Sequence, residues 1–273
     1  MQIINQKLEG DNISYKESPN TSGKFDANLP DTIVIHFTAG SSAQSSAKWL
    51  CNPQAKASAH VVVGKKGEII QLVPFDTIAW HAGKSSWDNR VGLNKYSIGI
   101  EIDNPGRLEK RQNGFYTYFG SVIEDNLVIE AIHRNEHKPT YWCAYTENQI
   151  LAVRDLCWLL KQTYPIETIV GHEEISPGRK IDPGPAFPLD VIRKQVLDND
   201  RQLEEAPDNN FSNISGVVIA DALNIRSAPS ASATKVNDPL KKDTPLKILE
   251  TQGEWYKVRV VTEGWVNRNY VKV

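Results

Sequence analysis

The residues best suited to chemistry lie between His172 and Phe187, in the run HEEISPGRKIDPGPAF. His172 and Asp182 are both groups that bind divalent metals, and Pro177, Pro183 and Pro185 stiffen the chain that carries them. Catalytic zinc sites generally take three protein ligands and leave a fourth position for water. A rigid segment suits that need, because ligand geometry must be set before the ion binds. Lys180 lies between the two in sequence, where an ammonium could polarise a carbonyl or stabilise a developing oxyanion. Spacing alone leaves open the alternative that His172 is a hydrogen-bonded structural residue at the end of a strand. The other histidines carry paired readings too. His60 and His81 are either cleft residues or packed histidines of a strand and a loop. His133 and His137 are four apart and could share a helix face, but without a partner ligand of matching type a solvated surface is expected. Trp80 and Trp87 are able to stack on sugar or peptide in a cleft, and equally able to fill a core.

These residues need elements to position them. Residues 32–38, TIVIHFT, form a β-branched run that predicts a buried strand ending near His36. A short helix is expected over residues 42–50. Residues 59–63 and 68–73 predict two strands joined by Gly64-Lys65-Lys66-Gly67, a hairpin signal. Residues 97–102, SIGIEI, predict another strand. Thr146-x-x-Gln149 is a capping box, and Ile150, Val153, Cys157 and Leu160 then recur at helical spacing until Pro165. Residues 168–171 predict a short strand with His172 at its C-terminal end, and residues 188–197 a last helix. Between them, residues 104–145 hold Pro105-Gly106, many charges and the aromatics Phe115, Tyr116, Tyr118, Phe119, Tyr141 and Trp142. So weak a pattern over so long a stretch reads as a functional loop region, or else as an inserted hairpin and helix without chemistry.

Composition sets outer bounds. The chain has 273 residues, enough for a main domain and a smaller one. A formal charge of -2 offers no pull toward nucleic acid or an anionic membrane, so neither is an expected partner. No apolar run approaches the ~20 residues that span a bilayer. The N-terminal run MQIINQKLEGDNISYKE lacks the basic and apolar parts of a secretory signal. The expectation is action in the cytosol, export by a route that needs no such signal, or a trimmed start. Cys51, Cys143 and Cys157 form neither a disulfide framework nor a CxxC knuckle.

Several blocks together resemble the type 2 N-acetylmuramoyl-L-alanine amidases, a family that includes the AmpD recycling amidases, phage lysozymes and peptidoglycan recognition proteins. Gly171 through Phe187 is similar to its signature. Ile33-Val34-Ile35-His36 resembles the first metal-ligand strand, and Ser58 through Val63 with Gly67-Glu68-Ile69 the central hairpin. Ala79-Trp80-His81-Ala82-Gly83 resembles the cleft-wall motif, and Ser97-Ile98-Gly99-Ile100-Glu101 the strand bearing the catalytic carboxylate. The resemblance covers about residues 18–197. It implies an α/β domain with a mixed central sheet flanked by helices, and Zn2+ held by His36, His172 and Asp182. It further implies Glu101 as catalytic acid, Lys180 as the carbonyl-polarising lysine, and His60, Trp80 and His81 as substrate-binding candidates. Ala59 stands where phage-type members carry a tyrosine, and Asp182 in place of a cysteine is closer to the AmpD side. The implied reaction is hydrolysis of the amide between N-acetylmuramic acid and L-alanine, in peptidoglycan or muropeptide fragments.

Texture changes after the polar run of residues 198–214, which reads as a linker. Short strands are expected over residues 217–220, 246–250, 255–261 and 264–266, a pattern of a small all-β barrel. Ala222-Leu223-Asn224-Ile225-Arg226-Ser227-Ala228-Pro229-Ser230, Gly253 through Val258 and Gly264 through Val271 together resemble the bacterial SH3-like domain. Trp255 and Trp265 are expected as core and turn residues. The division expected is therefore a zinc amidase domain at 1–197 with an insertion at about 104–145, a linker, and an SH3-like domain at 215–273. The latter implies wall or partner targeting. A two-domain chain of this kind suits a lysin or an exported effector as well as wall recycling, and an effector would bring a secretion machine or an immunity protein as partners.

Overall fold

In the computed structural model, residues 1–197, 214–218, 222–230, 233–236, 238–252 and 255–260 are described. The chain divides into two compact units, Met1–Glu204 and Glu205–Val273.

The first unit is built on a six-stranded mixed sheet. Its strands are β1 (Ile13–Tyr15), β2 (Thr32–Phe37), β3 (Val61–Val63), β4 (Ile69–Gln71), β5 (Ser97–Ile102) and, later in the chain, β11 (Thr168–Gly171). They lie in the order β11-β2-β5-β3-β4-β1, parallel except for the antiparallel hairpin of β3 and β4. Central parallel strands are covered on both faces, which is why β2 and β5 read as nearly continuous apolar runs. Side chains still alternate between faces. Ile33, Ile35, Ile98, Ile100 and Ile102 point into one core, where they meet Val153, Leu156 and Leu160 of α2 (Glu147–Thr163) and Ile192 and Val196 of α4 (Leu189–Leu197). The predicted capping box is present at the start of α2. Val34 and Val170 point the other way, into a smaller cluster with Ala82, Leu93 and Ile175. His36 and Glu101 share that second face by the period of two. Helix α1 (Ala43–Leu50), capped by Ser42, covers its edge through Ala43, Ala47 and Leu50.

The stretch 104–145 is neither a loop nor a hairpin with a helix. It forms a second, wholly antiparallel sheet of β6 (Arg107–Arg111), β7 (Gly114–Tyr116), β8 (Val122–Ile123), β9 (Val128–Ile132) and β10 (Pro139–Cys143), in the order β8-β7-β6-β10-β9. His133 and His137 therefore share no helix face; they lie in the turn between β9 and β10. The polar first thirty residues also hold more structure than expected, since β1 joins the central sheet there.

In the second unit, β12 (Ile214–Val217), β13 (Pro245–Gln252) and β14 (Trp255–Val260) form an antiparallel three-stranded sheet. Ala222–Leu223 and Leu240–Lys241 form a separate ribbon. Ile214, read from sequence as the last linker residue, is the first of a strand. The expected strand at 264–266 and Trp265 lie outside the described residues. The architecture is thus an α/β domain followed by a small β-rich one. Among the described residues no helix is long and apolar enough to cross a membrane.

Candidate metal centre and cleft

The C-terminal ends of the parallel strands converge on one point, as is usual for sites on open α/β sheets. His36 is the fifth residue of β2, Glu101 the fifth of β5, and the two are register partners. His172 follows β11 directly and opens the short helix α3 (His172–Ile175). The chain then returns through a proline-rich turn that brings Asp182 beside it; the Asp182–Pro183 peptide is cis.

His36 Nδ1, His172 Nδ1 and Asp182 Oδ2 stand 2.9 Å from one another, pair by pair. All three residues are buried. Their outer partners fix what those atoms carry. His172 Nε2 faces the Ala82 carbonyl at 3.0 Å and must donate to it. Arg179 Nη2 lies 3.3 Å from the same ring nitrogen but donates to the carbonyls of Ala82 and Lys84. His81 Nε2 faces the Ser97 carbonyl at 3.1 Å and donates likewise, leaving His81 Nδ1 as an acceptor. His36 Nε2, 3.0 Å from that Nδ1, is then its donor. With both Nε2 atoms donating outward, each ring in its neutral form turns a bare Nδ1 acceptor toward a carboxylate oxygen. Three buried acceptors with no proton among them repel one another unless a cation sits between them. The set fits such an ion: one face of a tetrahedron about zinc has edges of roughly 3.3 Å, so each 2.9 Å contact needs to open only a few tenths of an ångström. Among the described residues this is the group of His, Cys, Asp and Glu side chains arranged to hold a metal.

Charge follows the same logic. Burial, reinforced by the neighbouring His172, pushes His36 down to about 4, only partly offset by Asp182. Burial alone would raise Asp182, but the His172 and His36 rings packed against it hold it well below the usual carboxylate range. Glu101 goes the other way. Burial lifts its carboxyl well above the ordinary glutamate range, Asp182 adds to this, and Lys180 opposes it. Glu101 Oε2 is shielded from solvent and has no hydrogen-bond partner among the described residues. It lies at the wall of a cleft of about 510 Å³ bordered by Thr38, Ser45 and Trp49 on one side and by Tyr118 and Phe119, from the β7–β8 turn, on the other.

The remaining expected residues are placed less uniformly. His81 is buried behind His36, its Nδ1 3.0 Å from His36 Nε2. His60 is wholly buried and both its nitrogens are used: Nδ1 accepts from Gly99 N at 3.0 Å and Nε2 donates to the Thr77 carbonyl at 3.0 Å. Every ring nitrogen of the two histidines is thus engaged within the protein, with His60 fully buried and His81 8% exposed. Gly99 is required between them, because a Cβ there would lie 2.3 Å from the His81 ring. Trp80 remains half-buried, with Nε1 donating to Ser22 Oγ. Trp87 packs beside the Val34 cluster. The expectation for His133 is overturned: it is 1% exposed and pairs with a carboxylate, Glu173, at 2.6 Å. The residues missed in the sequence are those that brace the loop and its neighbours. Asn94 Oδ1 accepts from His81 N and Ala82 N, and Tyr145 donates to the Pro183 carbonyl. No local pattern marks either one.

A mixed sheet with a buried His–His–Asp set at the C-terminal ends of its parallel strands has the layout of a metal-binding enzyme site. Comparison with known proteins narrows the class. Residues 26–185 match the family model of N-acetylmuramoyl-L-alanine amidase, and residues 221–272 that of the bacterial SH3 domain. The chain therefore belongs to the N-acetylmuramoyl-L-alanine amidases, which hydrolyse the amide joining N-acetylmuramic acid to L-alanine, and carries a bacterial SH3 domain behind the catalytic one. It is similar to 1,6-anhydro-N-acetylmuramyl-L-alanine amidase AmpD of Escherichia coli K12, 29% identical over 199 residues, covering 66% of this chain and 88% of the relative. N-acetylmuramoyl-L-alanine amidase AmiD of the same organism is 32% identical over 174 residues, covering 60% of this chain and 52% of that one. The crystal structure of a selenomethionine AmpD derivative superposes with a TM-score of 0.50 at 26% identity, covering 72% of this chain and 99% of that one.

Proposed function

We propose that the protein is a zinc enzyme that releases stem peptides from muropeptides or peptidoglycan, with His36 Nδ1, His172 Nδ1 and Asp182 Oδ2 as the ligands. The convergence of three bare, buried acceptors carries this reading. When bound there, zinc supplies Lewis acidity and makes water a competent nucleophile near neutral pH. Glu101 Oε2 is a shielded carboxylate oxygen whose pKa burial lifts, as suits a proton carrier. It takes the proton of the attacking water and returns it to the departing amine of L-alanine. Lys180 lies close enough to act on both Glu101 and His36, and its ammonium stabilises the carbonyl oxygen as negative charge develops. Trp80 borders the bound fragment. The domain plan proposed is catalysis by residues 1–197, a linker at 198–214, and wall or partner binding by 215–273.

Metal analysis combined with a muropeptide digest followed by mass spectrometry tests the reading. One equivalent of zinc and release of free stem peptide are expected. Absence of both sinks it.

A further inference from the structure

The turn between β9 and β10 has no task in hydrolysis, yet it meets the ligand loop beside both loop ligands. His133 Nε2 sits 2.6 Å from Glu173 Oε2, with both side chains buried. Glu173 directly follows His172. The same Oε2 accepts from Gly184 N at 3.0 Å, two residues beyond Asp182. Glu173 N in turn donates to the Asp182 carbonyl at 2.8 Å. Arg134 Nε lies 3.0 Å from Glu173 Oε1, Arg134 also pairs with Glu174, and Asn135 Nδ2 donates to the Glu173 carbonyl. Trp142 of β10 stacks on the His133 ring at 5.6 Å and lies 2.6 Å from where a Cβ on Gly184 would be. One carboxylate thus joins the flanks of two ligands, and its side-chain partners all come from the inserted sheet.

We propose that His133 and Arg134 are positioning residues for the metal: acting through Glu173, they hold His172 and Asp182 close to the separation an ion requires. The inference rests on the zinc reading above. Outer partners of metal ligands commonly change metal affinity by roughly 10–100-fold, because a loop free to spread must be ordered when the ion binds. Here the brace reaches the ligands by way of backbone neighbours, so its loss leaves the ligands themselves unaltered.

The test is a zinc dissociation constant by chelator competition, measured on the full chain alongside the melting temperatures of its apo and zinc-loaded forms. His133→Ala is expected to weaken zinc binding by roughly 10–100-fold, and His133→Gln, which keeps a donor, to recover most of the loss. A role confined to packing lowers both melting temperatures together and leaves the dissociation constant within about twofold; that result overturns the proposal. Should His133→Ala fail to fold, Arg134→Ala carries the same measurement, since that side chain is 34% exposed. A loss of about threefold or more supports the brace, and unchanged affinity overturns it. A wild-type chain that binds no zinc overturns the underlying metal reading, an outcome distinct from any behaviour of the variants.

Discussion

Glu101 stands on β5 and His60 immediately before the neighbouring β3, and burial acts on them with opposite results. For Glu101, loss of water disfavours the charged form, and the adjacent Asp182 carboxylate disfavours it further. A cation at the ligand set would act in the other sense, and a carboxyl under such opposed influences suits the proposed acceptance and return of a proton. Replacing it with the isosteric amide removes that ability while keeping its size. Glu101→Gln is expected to lose about 10²–10⁴-fold in turnover and to keep its zinc, as read by muropeptide release and metal content on one preparation. Full activity would refute the assigned role. For His60, burial disfavours the imidazolium, and the folded value lies at about 4 against an ordinary 6.5. Below 6.5 the unfolded chain therefore takes up a proton that the folded one refuses. Stability from this residue is whole above pH 6.5 and drains as pH falls toward 4. His60→Gln should make apoprotein stability less sensitive to pH by roughly 2 kcal/mol between pH 7 and 5. Urea melts at the two values check it; an unchanged difference assigns the acid sensitivity to other groups.

At the scale of elements, the central sheet and the inserted sheet differ in how visible they are in the chain. TIVIHF and SIGIEI announce buried strands because both faces are covered, and the capping box of α2 is local chemistry. The strand bearing His36 and the signature loop with His172 and Asp182 are therefore legible in the sequence. What placed His81 and His60 in the interior was not legible, since that depends on carbonyls 16 or 17 residues away and on the space left by Gly99. The inserted sheet is less legible still. Val128–Ile132 is only half-buried and breaks alternation, and the partner of His133 lies 40 residues further on. Yet this sheet also delivers Tyr118 and Phe119 to the cleft beside Glu101, 73% and 40% exposed. Large apolar groups so exposed at a cleft edge serve binding more readily than stability. The double variant Tyr118→Ser/Phe119→Ser is thus expected to raise KM for a muropeptide about tenfold, equivalent to ~1.4 kcal/mol, with kcat within about twofold and little change in melting temperature. A fall in kcat alone would place the pair in the chemistry instead.

For the molecule as a whole, the two compact units divide two physical problems. The catalytic unit holds every residue assigned to bond cleavage, from His36 to Asp182, and among the described residues the large core cluster on its sheet is drawn from that unit. A soluble muropeptide reaches such a site by diffusion, so a second binding module adds nothing to its capture. A wall polymer is different: one weak attachment by the SH3 domain would keep the cleft near many scissile bonds, and effective concentration would rise without any new contact at the site. The formal charge of -2 gives no long-range attraction to stand in for that attachment. A chain ending at Leu197 is accordingly expected to turn over a soluble muropeptide within about twofold of the full chain. On intact sacculi it should fall by about tenfold or more, at the low end of the 10²–10⁴ available to linked sites because each attachment is weak. Release of stem peptide from both substrates, at matched zinc content, separates the two effects. Equal losses on the two substrates would mean that the second unit supports the fold of the first, and equal retention that the SH3 domain serves a partner other than the wall.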